Sequence, residues 1–176
     1  MYAQEIKRLR KLLRSDKQFK RIKKFFERVS SELSADGLYA EVRNLHGMRS
    51  SRVLERGGKA FIDRVVEANL QDQSYRSRLA EIQMDCAKTL STYQPVVDDL
   101  VSYMVLEHQD ALKNYFSSKA DRADFVTSLC KEYLTFLREV EAVSEAAKTV
   151  IVDIDKAGYM FKNLIEAVKI VHERKS

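Results

Sequence analysis

A heptad pattern of apolar residues runs through the last third of the chain and limits what this chain can fold into. From Val126 onward, the first and fourth positions of every heptad are apolar or aromatic across nearly seven heptads. A seam of this length predicts a coiled-coil-like helix. The seam positions are Val126, Leu129, Tyr133, Phe136, Val140, Val143, Ala147, Val150, Ile154, Ala157, Phe161, Leu164, Val168 and Val171.

Further apolar residues widen this stripe beyond a two-stranded seam, as in a helix that packs inside a bundle. They are Leu134, Leu137, Ile151 and Ile165. The short polar link around Ser117–Asp121 connects this helix to a preceding helical segment, and so short a link predicts antiparallel neighbours. We therefore expect a long antiparallel α-hairpin over residues 75–172.

The first helix of this hairpin is predicted from an apolar pattern between Tyr75 and about Phe116. The pattern stays in phase across Pro95, which favours one kinked helix over two separate helices. The alternative is a short break at residues 92–94 with Pro95 at the first position of a new helix.

Composition supports a helical class. The 176 residues include only one Pro and five Gly, which leaves few residues for the frequent turns of a sandwich or barrel. Two Cys exclude a disulfide scaffold, and we find neither an apolar run of membrane-spanning length nor the apolar core of a signal peptide. We predict an all-α, elongated helical bundle built on the hairpin, with coiled-coil-like packing and a cytoplasmic location.

The N-terminal segment carries two further helical stripes. Ile6, Leu9, Leu12 and Leu13 mark the first one. Ser15 with Gln18 matches a capping box that restarts the helix. The second stripe consists of Phe19, Ile22, Phe26, Val29 and Leu33. Turn chemistry at residues 34–37 is expected to end it.

The next stretch, residues 38–58, is the least regular part of the chain. We expect a short helix as far as Gly47, a loop closing at Gly57 and Gly58, and a further helix from Ala60 to Leu70. Ser74 is the predicted N-cap of the helix that follows. On this basis we divide the chain into residues 1–58, a basic helical arm with a mobile connection, and residues 59–176, the hairpin domain.

Positive charge is concentrated in residues 1–28, which hold eleven basic and three acidic side chains, a net charge of +8. The remaining 148 residues carry 20 basic and 23 acidic side chains, a net charge of −3, and the whole chain carries +5. Such asymmetry suggests a polyanionic partner. The candidate nucleic-acid-binding residues are Lys7, Arg8, Arg10, Lys11, Arg14, Lys17, Lys20, Arg21, Lys23, Lys24 and Arg28.

Three interpretations of this basic arm compete. Cations at helical spacing can follow a phosphate backbone with little sequence preference. An apolar stripe flanked by cations also resembles an interfacial membrane helix, although we do not expect a membrane surface to be the partner. Finally, the arm could be an ordinary bundle helix with a solvated face, or one that docks on an acidic protein surface.

The sequence contains no recognisable catalytic or metal-binding pattern. His46, His108 and His172 share no metal-ligand spacing, and Cys86 and Cys130 fall on or beside apolar stripes, where free cysteines are mostly core residues. The adjacent carboxylates, Asp98 with Asp99 and Asp153 with Asp155, diverge around a helix and cannot act jointly. We therefore expect no enzymatic activity, no metal and no cofactor.

The segment from Asp155 to Ile165, DKAGYMFKNLI, resembles the closing helix of phage recombination mediators of the UvsY kind. Members of that family end in a similar pattern of Lys, Gly, aromatic residue, Lys and Ile. The resemblance implies a small, basic, helical, ring-forming protein that binds single-stranded nucleic acid and loads a recombinase. It also implies a phage origin.

Together these observations predict a non-catalytic, oligomeric nucleic-acid-binding accessory protein, such as a recombination or replication mediator. The basic arm would contact phosphates, and the hairpin would supply the surface for homo-oligomer assembly. The alternative is a protein–protein adaptor, an assembly chaperone or a structural subunit whose basic arm docks on an acidic partner.

Overall fold

The computed structural model describes residues 2–50 and 59–173. These residues form helices and contain no strand. Helices α4 and α7 pack against each other, which confirms the predicted all-α helical bundle. The helices are α1 (Tyr2–Ser15), α2 (Lys17–Glu32), α3 (Ala35–Ser50), α4 (Lys59–Glu107), α5 (Gln109–Lys113), α6 (Lys119–Leu129) and α7 (Lys131–Glu173).

The chain divides into two compact units, and each of them is discontinuous in sequence. The first unit comprises Met1–Ala35 and Lys88–Glu141, and the second comprises Asp36–Ala87 and Ala142–Ser176. Helices α4 and α7 therefore contribute one part to each unit. The sequence-based division at residue 58 stays a prediction.

The core of the first unit contains the apolar faces of α1 and α2. Leu9 and Leu13 from α1 and Phe19 and Phe26 from α2 are at most 4% exposed. Burying side chains of this size stabilises a fold by roughly 1.5–3 kcal/mol each. They share one cluster with residues of α4, α5, α6 and α7, including Val97, Leu100, Met104, Leu112, Phe125, Val126, Leu129, Cys130, Tyr133 and Leu137. The basic N-terminal helices are thus an integral part of the bundle.

The start of α2 differs from the sequence-based prediction. Asp16, and not Ser15, is the N-cap, because its carboxylate accepts hydrogen bonds from the backbone N–H groups of Gln18 (2.7 Å) and Phe19 (3.1 Å). Ser15 closes α1, and its hydroxyl donates to the Leu12 carbonyl oxygen at 2.6 Å. Both residue types cap helices well, so composition alone did not distinguish them.

Helix α4 is longer than the sequence indicated. It begins at Lys59 and runs without interruption through Ser74 and Pro95, so the predicted N-cap at Ser74 and the alternative break at residues 92–94 are wrong. Continuity through Pro95 is confirmed. The helix ends at Glu107 and the short α5 follows after His108, so the expected single helix to residue 116 is interrupted.

Helix α3 replaces two predicted features. It begins at Ala35, which is buried, so the predicted turn at residues 34–37 is reduced to a break at residues 33 and 34. The helix also continues through Gly47 as far as Ser50. The predicted loop closing at Gly57 and Gly58 lies outside the described residues.

The heptad seam keeps its register but not its continuity. Helix α6 ends at Leu129 and α7 begins at Lys131. Between them, the Cys130 N–H donates to the Thr127 carbonyl oxygen at 3.0 Å, and the Tyr133 N–H donates to the Cys130 carbonyl oxygen at 3.0 Å. Both bonds join residues i and i+3, as in a 3₁₀ turn, and the apolar stripe continues in the same register on either side of Cys130. The seam is covered as far as Ile154, whereas Leu164 is 38% exposed.

The second unit combines α3 with the first part of α4 and the last part of α7. Arg76 Nε lies 2.7 Å from an Asp155 carboxylate oxygen, and a Cβ at Gly158 would lie 3.8 Å from Oδ1 of Asn69. Residue numbers therefore increase along α7 in the direction in which they decrease along α4, which confirms antiparallel packing of the two helices in this unit. Its buried residues include Val42, Val65, Leu79, Ile82, Val143, Ala147, Val150 and Ile154.

Candidate nucleic-acid interface

The eleven basic residues predicted from the sequence all lie on the exposed sides of α1 and α2. This placement follows from helical periodicity. Lys7, Arg10, Lys11 and Arg14 fall within an arc of roughly 100° on α1, at 100° per residue, on the side away from buried Leu9. We call the eleven residues the basic surface.

The α1 part of the basic surface forms an open hollow with the start of α2. The volume of this hollow is about 470 Å³. Five of the six lining side chains are cationic, and none is acidic. The lining residues are Lys7, Arg10, Lys11, Arg14, Ser15 and Lys20.

A second open hollow of about 570 Å³ lies along α2. Its lining contains five cations and one carboxylate, contributed by Lys17, Lys20, Arg21, Lys23, Lys24 and Glu27. Since Lys20 lines both hollows, they adjoin at this residue. Nine of the eleven basic residues are thereby brought together, and Arg8 and Arg28 are exposed on the same two helices without lining either hollow.

Some cations of the basic surface have partners within the chain. Lys23 lies 3.7 Å from the Glu27 carboxylate, and Arg28 lies 3.8 Å from Glu32. Both pairs are well exposed, and such pairs contribute about 0–1 kcal/mol. A phosphate can therefore replace these carboxylates at little cost in stability.

Two arginines of the basic surface also lie over aromatic rings. The Arg10 guanidinium carbon is 5.7 Å from the Phe125 ring centroid, and that of Arg28 is 5.8 Å from the Phe25 centroid. Both distances fall within the range of a cation–π contact. The guanidinium groups of the two arginines therefore lie on rings of the bundle, and both side chains remain exposed.

The corner between α1 and α2 is fixed by the Asp16 carboxylate. One oxygen caps α2, and the other lies 3.3 Å from Nε2 of His108 at the junction of α4 and α5. Partial burial acts to raise the pKa of Asp16, but the hydrogen bonds from Phe19 N–H, Gln18 N–H and His108 outweigh it, and the pKa is lowered from its ordinary value of 3.8. The cap is therefore ionised at neutral pH.

Sequence reasoning missed the partners that position the basic surface. It treated His108 as an isolated residue and did not identify Asp16 or Phe125. Asp16 and His108 are 92 positions apart, so no local spacing signals their contact. A negative residue just before a basic amphipathic helix was the one available signal for Asp16.

The described residues hold no group of three or more His, Cys, Asp or Glu side chains placed to bind a metal ion. The free cysteines Cys86 and Cys130 are buried, and burial raises the pKa of the Cys130 thiol to about 11. A thiol with such a pKa is a poor nucleophile at neutral pH. Among the paired carboxylates, Asp98 accepts a hydrogen bond from Gln94, and Asp155 pairs with Arg76.

None of the described helices combines the length and apolar character needed to cross a membrane. In comparisons with known proteins, no family model matches the chain, and neither a curated protein nor a solved structure is significantly similar to it.

Proposed function

We propose that this chain is a non-catalytic nucleic-acid-binding accessory protein whose basic surface contacts phosphates. One observation carries the proposal: nine cations line two hollows that adjoin at Lys20, on helices that are packed into the bundle. A surface of this kind attracts a polyanion before contact and holds it without any rearrangement of α1 or α2.

Contact with phosphates requires cations that are spaced along the nucleic-acid backbone, and it does not require recognition of the bases. Binding releases condensed counterions, so affinity falls linearly with salt on a logarithmic scale. If the basic surface engages six or more phosphates, affinity should drop about 10³-fold or more between 50 and 200 mM salt. We expect little dependence on nucleotide sequence.

A mediator of recombination or replication is the specific role that we propose for this activity. The resemblance of residues 155–165 to phage recombination mediators supports it. Homo-oligomer assembly belongs to the same proposal, and exposed apolar side chains on α7 support it: Val152, Tyr159, Met160, Leu164 and Ile170. We also propose a cytoplasmic location and a phage origin.

The test reverses four charges on α2 at once. Replacing Lys20, Arg21, Lys23 and Lys24 by Glu should abolish oligonucleotide binding, measured by fluorescence anisotropy at 50 mM salt. The four side chains are exposed, so helicity measured by circular dichroism should not change.

A matched control carries the same change of charge elsewhere. Arg43, Lys148, Lys156 and Lys162 are one arginine and three lysines, all exposed in the second unit. Their replacement by Glu should leave most of the binding intact. Equal loss in both variants would show that net charge, and not the basic surface, determines binding.

Docking on an acidic protein is the second candidate function, since Lys23 and Arg28 already pair with carboxylates at 3.7 and 3.8 Å. An adaptor of this kind would ignore oligonucleotides even at low salt. It would also lose its protein partner in the α2 charge-reversal variant and keep it in the control.

A further inference from the structure

A third open hollow lies between α2 and α4, within the first unit. Its volume is about 280 Å³. We call it the Tyr103 hollow. Three apolar side chains, two polar ones and one ring form a mixed wall of the kind that holds small organic groups. Helix α2 contributes two of the lining residues and α4 contributes four: Gln18, Ile22, Val96, Asp99, Leu100 and Tyr103.

Tyr103 is held beside the corner between α1 and α2. Its side chain is half-buried. Burial, the negative charges of Asp16 and Glu107 and a hydrogen bond to Asp16 raise the pKa of Tyr103 from its ordinary value of 10. The phenol is therefore uncharged at neutral pH, and its hydroxyl is tied to the same carboxylate that caps α2.

The Tyr103 hollow borders the basic surface along α2. Gln18 follows Lys17 directly, and Arg21 follows Gln18 by three residues, which on a helix places the last two Cβ atoms about 5–6 Å apart. Lys17 and Arg21 themselves line the hollow of about 570 Å³ on α2. A nucleotide whose phosphate contacts Arg21 can therefore reach the Tyr103 hollow with its base.

The charge of the Tyr103 hollow favours a base over a phosphate. Asp99 is the one charged residue among the six that line it, whereas each hollow of the basic surface is lined by five cations. A carboxylate repels phosphates but accepts hydrogen bonds from the N–H groups of bases. The Gln18 amide can both donate to a base edge and accept from it.

From this arrangement we infer that the Tyr103 hollow receives an unpaired base of the strand whose phosphates lie on the basic surface. The inference rests on the proposed function and adds a base-contact site to it. Tyr103 supplies a ring for stacking, and Ile22 and Leu100 supply apolar contacts. Stacking tolerates any base, because every base has a π-face, so the dependence on nucleotide sequence stays small. A base that is paired and stacked inside a duplex cannot enter without being extruded.

The test compares a labelled single strand of about 20 thymidine nucleotides with an abasic strand of the same length, by fluorescence anisotropy at 50 mM salt. Both strands carry the same phosphates, and only the first carries bases. We expect the intact strand to bind about fivefold tighter or more, which is the smallest effect typical of one base stacked on a ring. Equal binding would overturn the inference and leave the proposed function standing. Failure to bind either strand would contradict the proposed function itself.

Variants of Tyr103 assign the difference to this side chain. Tyr103→Ala should weaken binding of the intact strand about fivefold or more and leave the abasic strand within about twofold. Tyr103→Phe keeps the ring and should stay within about twofold for both strands. Tyr75→Ala, at a half-buried position in the second unit, is the matched control and should change neither affinity. An equal effect of Tyr103→Ala on both strands would overturn the inference.

Photo-crosslinking locates the base in the unaltered protein, so its result does not depend on how a variant folds. A strand with 5-iodouracil in place of thymine forms a covalent bond to an adjacent aromatic side chain under ultraviolet light. Mass spectrometry of the digested complex should place the crosslink at Tyr103. Crosslinks found only outside the Tyr103 hollow would overturn the inference.

Discussion

Nε2 of His108 lies 3.3 Å from a carboxylate oxygen of Asp16, although the two residues are 92 positions apart in the sequence. Asp16 caps α2, and His108 stands at the junction of α4 and α5. One polar contact therefore joins two helix boundaries inside the first unit. Both side chains are largely buried, with 11% and 18% of their surface exposed.

The first prediction concerns the cap at Asp16. Asp16→Ala should lower the free energy of unfolding by about 1–2 kcal/mol, because it removes the cap of α2. Asp16→Asn should cost less, since Asn also caps helices well. Ser15→Ala is the control and should stay within about 0.5 kcal/mol. Urea denaturation measures all three, and a larger loss for Ser15→Ala than for Asp16→Ala would contradict our assignment of the cap.

The lowered pKa of Asp16 predicts a dependence of stability on acid. Its stabilising contribution is complete above its ordinary value of 3.8 and is lost as pH falls through the lower folded value. Wild-type protein should therefore lose more stability than Asp16→Asn between about pH 5 and pH 2. Chemical denaturation at several pH values measures this difference, and parallel curves would show that Asp16 does not contribute.

Tyr133 predicts the opposite dependence in alkaline solution. Burial, with a smaller effect of nearby negative groups, raises its pKa from 10 to about 12. The unfolded chain releases this proton first, so stability should fall between about pH 10 and pH 12, by on the order of 2–3 kcal/mol. Tyr133→Phe should reduce that fall, and Tyr39→Phe, at an exposed position, should leave it unchanged.

Ile154 tests the packing of α7 in the second unit. The side chain is 1% exposed, so Ile154→Asp would bury an unpaired carboxylate and should cost several kcal/mol. Thr149→Asp is a matched control on the same helix, because Thr149 is β-branched like Ile154 but exposed. Thermal denaturation should separate the two variants clearly. Similar melting temperatures for both would contradict the assigned face of α7.

Long apolar patterns were the part of the fold that sequence could predict. The seam from Val126 to Ile154 and the continuity of α4 through Pro95 each rest on many residues that agree. Predictions from one or two polar residues were wrong at Ser15, Ser74 and residues 34–37. Ser74 has the chemistry of an N-cap, but buried Val65 and Leu79 on either side keep α4 helical there. Tertiary packing outweighs so weak a local preference.

The residues of the candidate site could be predicted from the sequence, but their arrangement in space could not. The concentration of cations in residues 1–28 identified the basic surface, and amphipathic spacing predicted which sides of α1 and α2 are exposed. The meeting of two hollows at Lys20 depends on the corner at Asp16. That corner depends in turn on His108, a residue far along the chain, and no local pattern encodes such a contact.

The discontinuity of the first unit affects the order in which the protein can fold during synthesis. Phe26 leaves the ribosome 107 residues before its stacking partner Tyr133, an interval of roughly 5–20 s at about 5–20 residues per second. Until Tyr133 has been made, the apolar faces of α1 and α2 can pack on α4 and α5 but lack the start of α7, which completes their cover. The basic surface therefore reaches its final geometry only after α6 and the start of α7 have been made. A chain stalled before Tyr133 would present its cations on α1 and α2 before α7 packs against these two helices.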